Sequence, residues 1–179
     1  MKAAVLVNGI PASGKSTVAK ALGLEAAWPL LALDTIKEAL FNHLGTGDRD
    51  HNRKLGKASY EAIFASVEDF PEESTTLIDA WFGFQPFEVL QGHLARARIT
   101  HVVEVWCHAP PEVIGQRYAS RLEKRSTGHL GADYVPELVE LARRATPLGK
   151  FAVVDVDTTQ PLAVAVVLKK IKAVLSGTS

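Results

Sequence analysis

Nine residues near the start of the chain, Gly9-Ile-Pro-Ala-Ser-Gly-Lys-Ser-Thr17, constrain its fold more than any other feature. They follow the apolar run Ala3–Asn8 and lead into a helix-forming stretch that begins at Lys15. Glycines at 9 and 14 let the backbone turn so that successive N–H groups point at one anion. The helix that follows directs its positive dipole end at the same place. Lys15 adds a mobile charge, and Ser16 adds a hydroxyl. This is the spacing of a phosphate cradle set directly between a strand and a helix. The G-x-G-x-x-G spacing of a dinucleotide fold is absent.

The rest of the chain alternates in the same way. Runs at 30–33, 75–78, 101–107 and 151–156 read as strands. They are mostly continuous in apolar residues, as strands buried on both faces of a parallel sheet are. Helical spacing is expected at 15–22, 35–43, 54–70 and 86–98, from Pro110-Pro111 onward, and at 135–144 and 161–175. Residues 45–52 are polar and read as a loop. Five strands alternating with helices predict an α/β fold of three layers, a parallel sheet with helices on both faces. Ligands of such sheets sit beyond the carboxyl ends of the strands. Gly9, Asp34, Asp79, His108 and Asp157 each fall just after a predicted strand.

Bulk properties narrow the function. The chain has 179 residues, the size of one compact domain. Its 20 basic and 20 acidic residues balance, which argues against a grip on long nucleic acid. The single cysteine, Cys107, lies in an apolar run and reads as a core residue in a reducing compartment. The run at 162–168 is far below the ~20 residues of a membrane span. The N-terminal apolar run stops at Asn8, too short for a signal peptide. A cytoplasmic protein with no membrane partner is the expectation.

The cradle predicts that Gly9, Ile10, Pro11, Ala12, Ser13, Gly14, Lys15, Ser16 and Thr17 bind the phosphates of ATP, with Lys15 at the β and γ phosphates and Ser16 on Mg²⁺. Asp34 ends the second strand, where a carboxylate can orient a substrate hydroxyl and take its proton, or else cap the next helix. Lys37 lies one turn later and can hold substrate. Asp79 is expected as the acidic partner of the metal or its water. Arg117, Arg121 and Arg125 recur every four residues as one helical stripe leading into the glycine-containing segment 126–133. Arginines closing from there would neutralise transition-state charge and expel water. Ala80-Trp81-Phe82-Gly83-Phe84 offers an aromatic wall for an acceptor, or a core cluster. Arg53 beside the polar loop and His129 between glycines are further candidates for substrate contact. His43 and His51, with Asp48 and Asp50, match no compact metal-ligand spacing.

Together these features resemble the P-loop kinases of small molecules, in the group that holds chloramphenicol phosphotransferase, zeta toxins and the kinase domain of polynucleotide kinases. The resemblance spans almost the whole chain in element order and is specific at residues 9–17. It implies a five-stranded parallel sheet in the order 2-3-1-4-5, a single domain over 1–179 with a helical lid at about 117–135, and Asp34 as the base. The chain also resembles the nucleoside monophosphate kinases, which implies Arg117 near adenine and Arg121 near phosphate. Val156-Asp157-Thr158-Thr159-Gln160-Pro161 resembles the loop that borders adenine in several of them, which implies Thr158 at the nucleotide, mostly through its backbone. Lys37 stands where polynucleotide kinases tend to carry an arginine, and residues 80–84 depart from the Gly-rich segment of shikimate kinases.

The expected activity is therefore transfer of the γ-phosphate of ATP to a hydroxyl of a small molecule. Two alternatives remain at this point: a nucleotide-dependent switch, and a polynucleotide 5′-end kinase. The guanine-reading Asn-Lys-x-Asp segment is absent, which disfavours a GTPase switch.

Overall fold

The computed structural model describes residues 1–124 and 128–177. Strands and helices alternate through it: β1 (Ala3–Asn8), α1 (Lys15–Ala26), β2 (Leu30–Ala32), α2 (Leu33–Leu44), α3 (Arg49–Glu68), β3 (Thr75–Asp79), α4 (Phe87–Arg96), β4 (His101–His108), α5 (Pro111–Ala119), α6 (Val135–Arg144), β5 (Ala152–Asp157) and α7 (Val164–Leu175). The strands form one sheet in the order β2-β3-β1-β4-β5, and every pairing is parallel. This is the order that the resemblance implies.

The pleat explains the layers. Side chains alternate along a strand, so β1 feeds two cores at once. Ala3, Val5 and Val7 pack with Val18 and Leu22 of α1 and Ile171 of α7. Ala4 and Leu6 pack on the other face with Ile63 and Phe64 of α3 and Leu90 and Leu94 of α4. Every residue of β1 is buried. At the edge, β5 buries Val154 and Val156 and exposes Asp155 between them, so the continuous apolar pattern gives way to alternation there. The Lys2 side chain is buried beside β1, and its ammonium donates to the carbonyls of Val67 (3.1 Å) and Glu68 (3.0 Å) at the end of α3.

Three boundaries differ from expectation, each for a local reason. First, α3 begins at Arg49, because Asp48 caps it by accepting from the His51 N–H at 2.8 Å. Residues expected in a loop are therefore helical. Second, α2 begins at Leu33 with Ala32 at its cap, so Asp34 lies in the first helical turn and is not the capping residue. Third, α5 stops at Ala119, Ser120 closes it, and a 3₁₀ turn covers Leu122–Lys124. Arg117 and Arg121 therefore do not share one continuous α-helical stripe. Arg125 lies outside the described residues. Among those residues, no helix is long and apolar enough to cross a membrane.

Candidate active site

The cradle is fixed by backbone geometry. Gly9 has φ 153°, and a Cβ there would fall 2.4 Å from both the Cys107 carbonyl oxygen and Ser13 Oγ. Gly14 has φ 89° at the head of α1. Only glycine holds both positions without strain. Ile10 turns away from the loop and is buried with Ile114, Tyr118 and Leu138, which anchors the cradle to α5 and α6. Ser13 is wholly buried. Pro11, Ala12, Gly14, Lys15, Ser16 and Thr17 line a cavity of about 280 Å³.

Two side-chain ties set the loop in place, and neither was expected from the sequence. Asn8 Oδ1 accepts from the Gly9 N–H (2.8 Å) and from the Phe82 N–H (3.0 Å). Asn8 Nδ2 donates to Glu104 Oε1 at 2.7 Å, and the Leu148 N–H donates to the same carboxylate. Glu104 is fully buried. Burial pushes its carboxyl above the usual carboxylate range, and the Asn8 and Leu148 donors pull it partly back. An apolar strand interrupted by one glutamate was the available signal.

The second tie is Thr158. Its hydroxyl shares its proton between the carbonyls of Ser13 (2.7 Å) and His108 (3.0 Å) and accepts from Arg117 at 2.8 Å. Arg117 also donates to the Thr158 carbonyl at 2.9 Å. Thr158 thus acts through its side chain as well as its backbone. Arg117, Arg121, Gly14, Thr17 and Thr158 border a second cavity of about 320 Å³. Cys107 is core, as expected, and burial pushes its thiol up to about 12.

Acidic groups meet the cradle from two strand ends. Asp79 closes β3 at 5% exposure, beside Ser16 in the cavity wall. Burial raises its pKa, Lys15 and Ser16 lower it, and the Asp34 carboxylate raises it. Its Oδ1 is buried without a hydrogen-bond partner among the described residues. A buried, unsatisfied carboxylate oxygen beside a serine hydroxyl suits Mg²⁺ and its water, so these residues fit the metal that P-loop nucleotide sites usually hold. Asp34 is exposed in the first turn of α2 and lines the first cavity with Lys37. Tyr60 records how close the two carboxylates stand. Its pKa is pushed far up by burial first, then by Asp34 and Asp79.

Around the outer cavity the expected residues divide. Trp81 lines it, and the Tyr60 hydroxyl donates to the Trp81 carbonyl at 2.5 Å. Phe82 does not line it: at 4% exposure it belongs to the core with Tyr60 and Ile63, and Phe84 takes the wall position instead. Arg53 is also outside it. It points from an exposed face of α3 toward Asp50, at 3.6 Å, whereas Asn52 and Gly56 of the same helix line the cavity. His129 does line the cavity and reaches Glu38 of α2 at 2.8 Å.

Gly128 and α6 are fastened to the α2–α3 side. The Asn52 amide donates to the Gly128 carbonyl, and Arg49 of α3 pairs with Glu137 of α6 at 2.8 Å. Tyr118 donates to the Leu130 carbonyl at 2.7 Å. His51 serves structure, with its ring 3.2 Å from the Gly45 carbonyl.

A family model described as an AAA domain matches residues 5–132, from β1 to just before α6. No curated protein matches the sequence at a significant level. Among solved structures, a candidate kinase from Chloroflexus aurantiacus J-10-fl is similar over 97% of this chain and 98% of its own, with 26% identity and a TM-score of 0.78. A gluconokinase from Sinorhizobium meliloti 1021 is similar over 98% of this chain and 92% of its own, at 19% identity and TM-score 0.60. Kti12 from Chaetomium thermophilum, in complex with ADP-AlF3, is similar over 96% and 98%, at 18% identity and TM-score 0.65. The last two share the fold alone. The family match covers most of the chain and takes in the cradle, both acidic positions and the aromatic wall, so the protein belongs to this AAA domain family and has the P-loop kinase fold.

Proposed function

We propose that the protein is a kinase that moves the γ-phosphate of ATP to a hydroxyl of a small molecule. The observation that carries this reading is the shared cavity: Asp34 and Lys37 of α2 face the same space as Lys15, Ser16 and Asp79. A switch needs only a water-orienting group there. An exposed carboxylate at the mouth of a phosphate cradle is what acceptor activation requires.

In this reading Asp34 orients the acceptor hydroxyl and receives its proton. The hydroxyl oxygen then bonds to the γ-phosphorus, and the β–γ bridging oxygen leaves with the bond's electron pair on ADP. Lys15 and the cradle N–H groups hold the β and γ phosphates, and Arg121 meets developing charge from the lid side. Arg117 and Thr158 border the adenine end. Mg²⁺, held through Ser16 and the Asp79 carboxylate, supplies neutralising charge to the phosphates when bound. The work is assigned to the cytoplasm, where ATP is abundant and a lone thiol stays reduced.

The test is Mg²⁺-dependent ATP consumption against a panel of hydroxyl compounds and oligonucleotide 5′ ends, with Asp34→Ala beside the wild type. We expect acceptor-dependent turnover that falls at least ~100-fold in the variant while ATP binding persists. Turnover indifferent to every acceptor and to Asp34 would replace the kinase with an ATPase switch. Turnover confined to oligonucleotide ends would replace the small acceptor.

A further inference from the structure

Thr158 follows β5, 145 residues after Ser13, yet it touches the cradle at two successive residues. Its hydroxyl donates to the Ser13 carbonyl at 2.7 Å, the shorter of its two acceptor distances. Among the described residues no backbone N–H donates to that carbonyl, so Thr158 is the donor that holds it. A Cβ added at Gly14 would fall 3.0 Å from Thr158 Cβ and 3.1 Å from its Oγ1. The threonine therefore lies directly against the next Cα as well.

The pose of Thr158 is itself fixed. Its N–H donates to the His108 carbonyl at 2.9 Å. Its carbonyl accepts from Arg117 Nη2 at 2.9 Å, and its hydroxyl oxygen accepts from Arg117 Nη1 at 2.8 Å. A charged donor on the hydroxyl oxygen polarises the O–H and strengthens what it donates onward. The chain Arg117, Thr158, Ser13 thus runs from α5 through the end of β5 to the loop.

The consequence lies at the other end of the same peptide. The Ser13–Gly14 bond is trans, so its C=O and N–H point in opposite directions. A carbonyl turned to Thr158 turns the Gly14 N–H away from it. No carbonyl accepts that N–H among the described residues. It adjoins the first-turn N–H groups of α1, which a helix leaves without intrahelical partners. Gly14, Lys15 and Ser16 line one cavity. Successive free N–H groups at a helix head bind anions. Glycine at 14 also leaves this peptide easy to rotate. Rotated, it would set a carbonyl oxygen against the phosphate and repel it.

We propose that Thr158 is a positioning residue for phosphate binding: its hydroxyl holds the Ser13 carbonyl outward and so aims the Gly14 N–H at the phosphates of the nucleotide. The inference deepens the kinase reading and rests on the cradle's holding phosphate. Thr158 borders the adenine end, but its effect is delivered at the phosphate end.

A ligand without a base separates these two places. The probes are ADP and inorganic tripolyphosphate, each with Mg²⁺, titrated calorimetrically into the full-length protein. Thr158→Val keeps the shape and removes the hydroxyl. It is expected to weaken both probes by the same factor, at least ~10-fold, the equivalent of ~1.4 kcal/mol. Thr158→Ser restores the hydroxyl and is expected to recover most of the affinity. The second readout is the amide proton of Gly14 by NMR. Tripolyphosphate is expected to move it downfield in the wild type and in Thr158→Ser, and to move it much less in Thr158→Val.

A loss confined to ADP would place the action of Thr158 at the base and overturn the proposal. So would unchanged affinity for both probes in Thr158→Val, or a Thr158→Ser protein as weak as Thr158→Val. If Thr158→Val does not fold, the wild type still decides, because a Gly14 amide unmoved by bound tripolyphosphate overturns the proposal. A wild type that binds neither probe would instead overturn the phosphate reading of the cradle itself, and the proposal with it.

Discussion

Asp79 shows what a single residue contributes at a site of this kind. Its carboxylate is nearly buried, one oxygen lacks a partner among the described residues, and burial outweighs the help of Lys15 and Ser16. The charge is therefore a cost to the folded state that a bound cation offsets. Asp79→Asn keeps the shape and removes the charge. The ligand-free variant is expected to melt above the wild type at neutral pH and to lose Mg²⁺-dependent turnover by ~100-fold or more. Calorimetric melting without ligand, set beside turnover, checks both halves; a variant that melts lower would show that the charge stabilises the fold. That Asp79 and Asp34 would meet at one cavity was legible in the sequence, because ligands in parallel sheets sit beyond the strand ends. Phe82 was not. Three aromatics in four residues leave open which ring turns to the core, and here Asn8 decides it by holding the Phe82 N–H.

At the scale of elements, the cradle is a loop whose shape is imposed by its neighbours. Asn8 ties it to β4 through Glu104 and to the turn after β3 through Phe82. Asn8→Ala leaves the Gly9 and Phe82 N–H groups buried without that acceptor. Such groups cost about 1–3 kcal/mol each, so a loss of several degrees in melting temperature is expected. A raised KM for ATP should accompany it, and thermal melts with steady-state kinetics on the same preparation test the pair. An unchanged KM in a destabilised protein would limit Asn8 to structure.

Element order could be read in advance because hydrophobic period leaves few choices, and the sheet order followed from the family resemblance. Element ends could not, since a cap depends on one side chain. Asp48 moves the start of α3 back to Arg49, and the end of α5 at Ala119 breaks the arginine stripe. The place of Asn52 in the cavity wall was hidden for the same reason, because it fell in what read as a loop.

Across the whole molecule, Glu104 links β4 to β1 and to the segment before β5 through one buried carboxylate. Its folded pKa lies above its ordinary value of 4.5. A raised acid contributes stability that is full below that ordinary value and is lost as pH rises through the folded one. Glu104→Gln removes this term. Its stability relative to wild type is therefore expected to improve steadily as pH rises from about 4.5 toward neutrality. Urea unfolding across that range measures the difference, and parallel pH curves would exclude Glu104 as its source.

The central place of β1 has a consequence for the growing chain. The cradle segment is made before its supports, because β1 gains its neighbours only when β3 and β4 have been made. The Leu148 N–H that steadies Glu104, and the Thr158 hydroxyl that holds Ser13, follow later still. Synthesis thus delivers the motif well before the contacts that give it its working geometry. A nascent chain halted before Leu148 carries the signature of nucleotide binding without the shape that performs it.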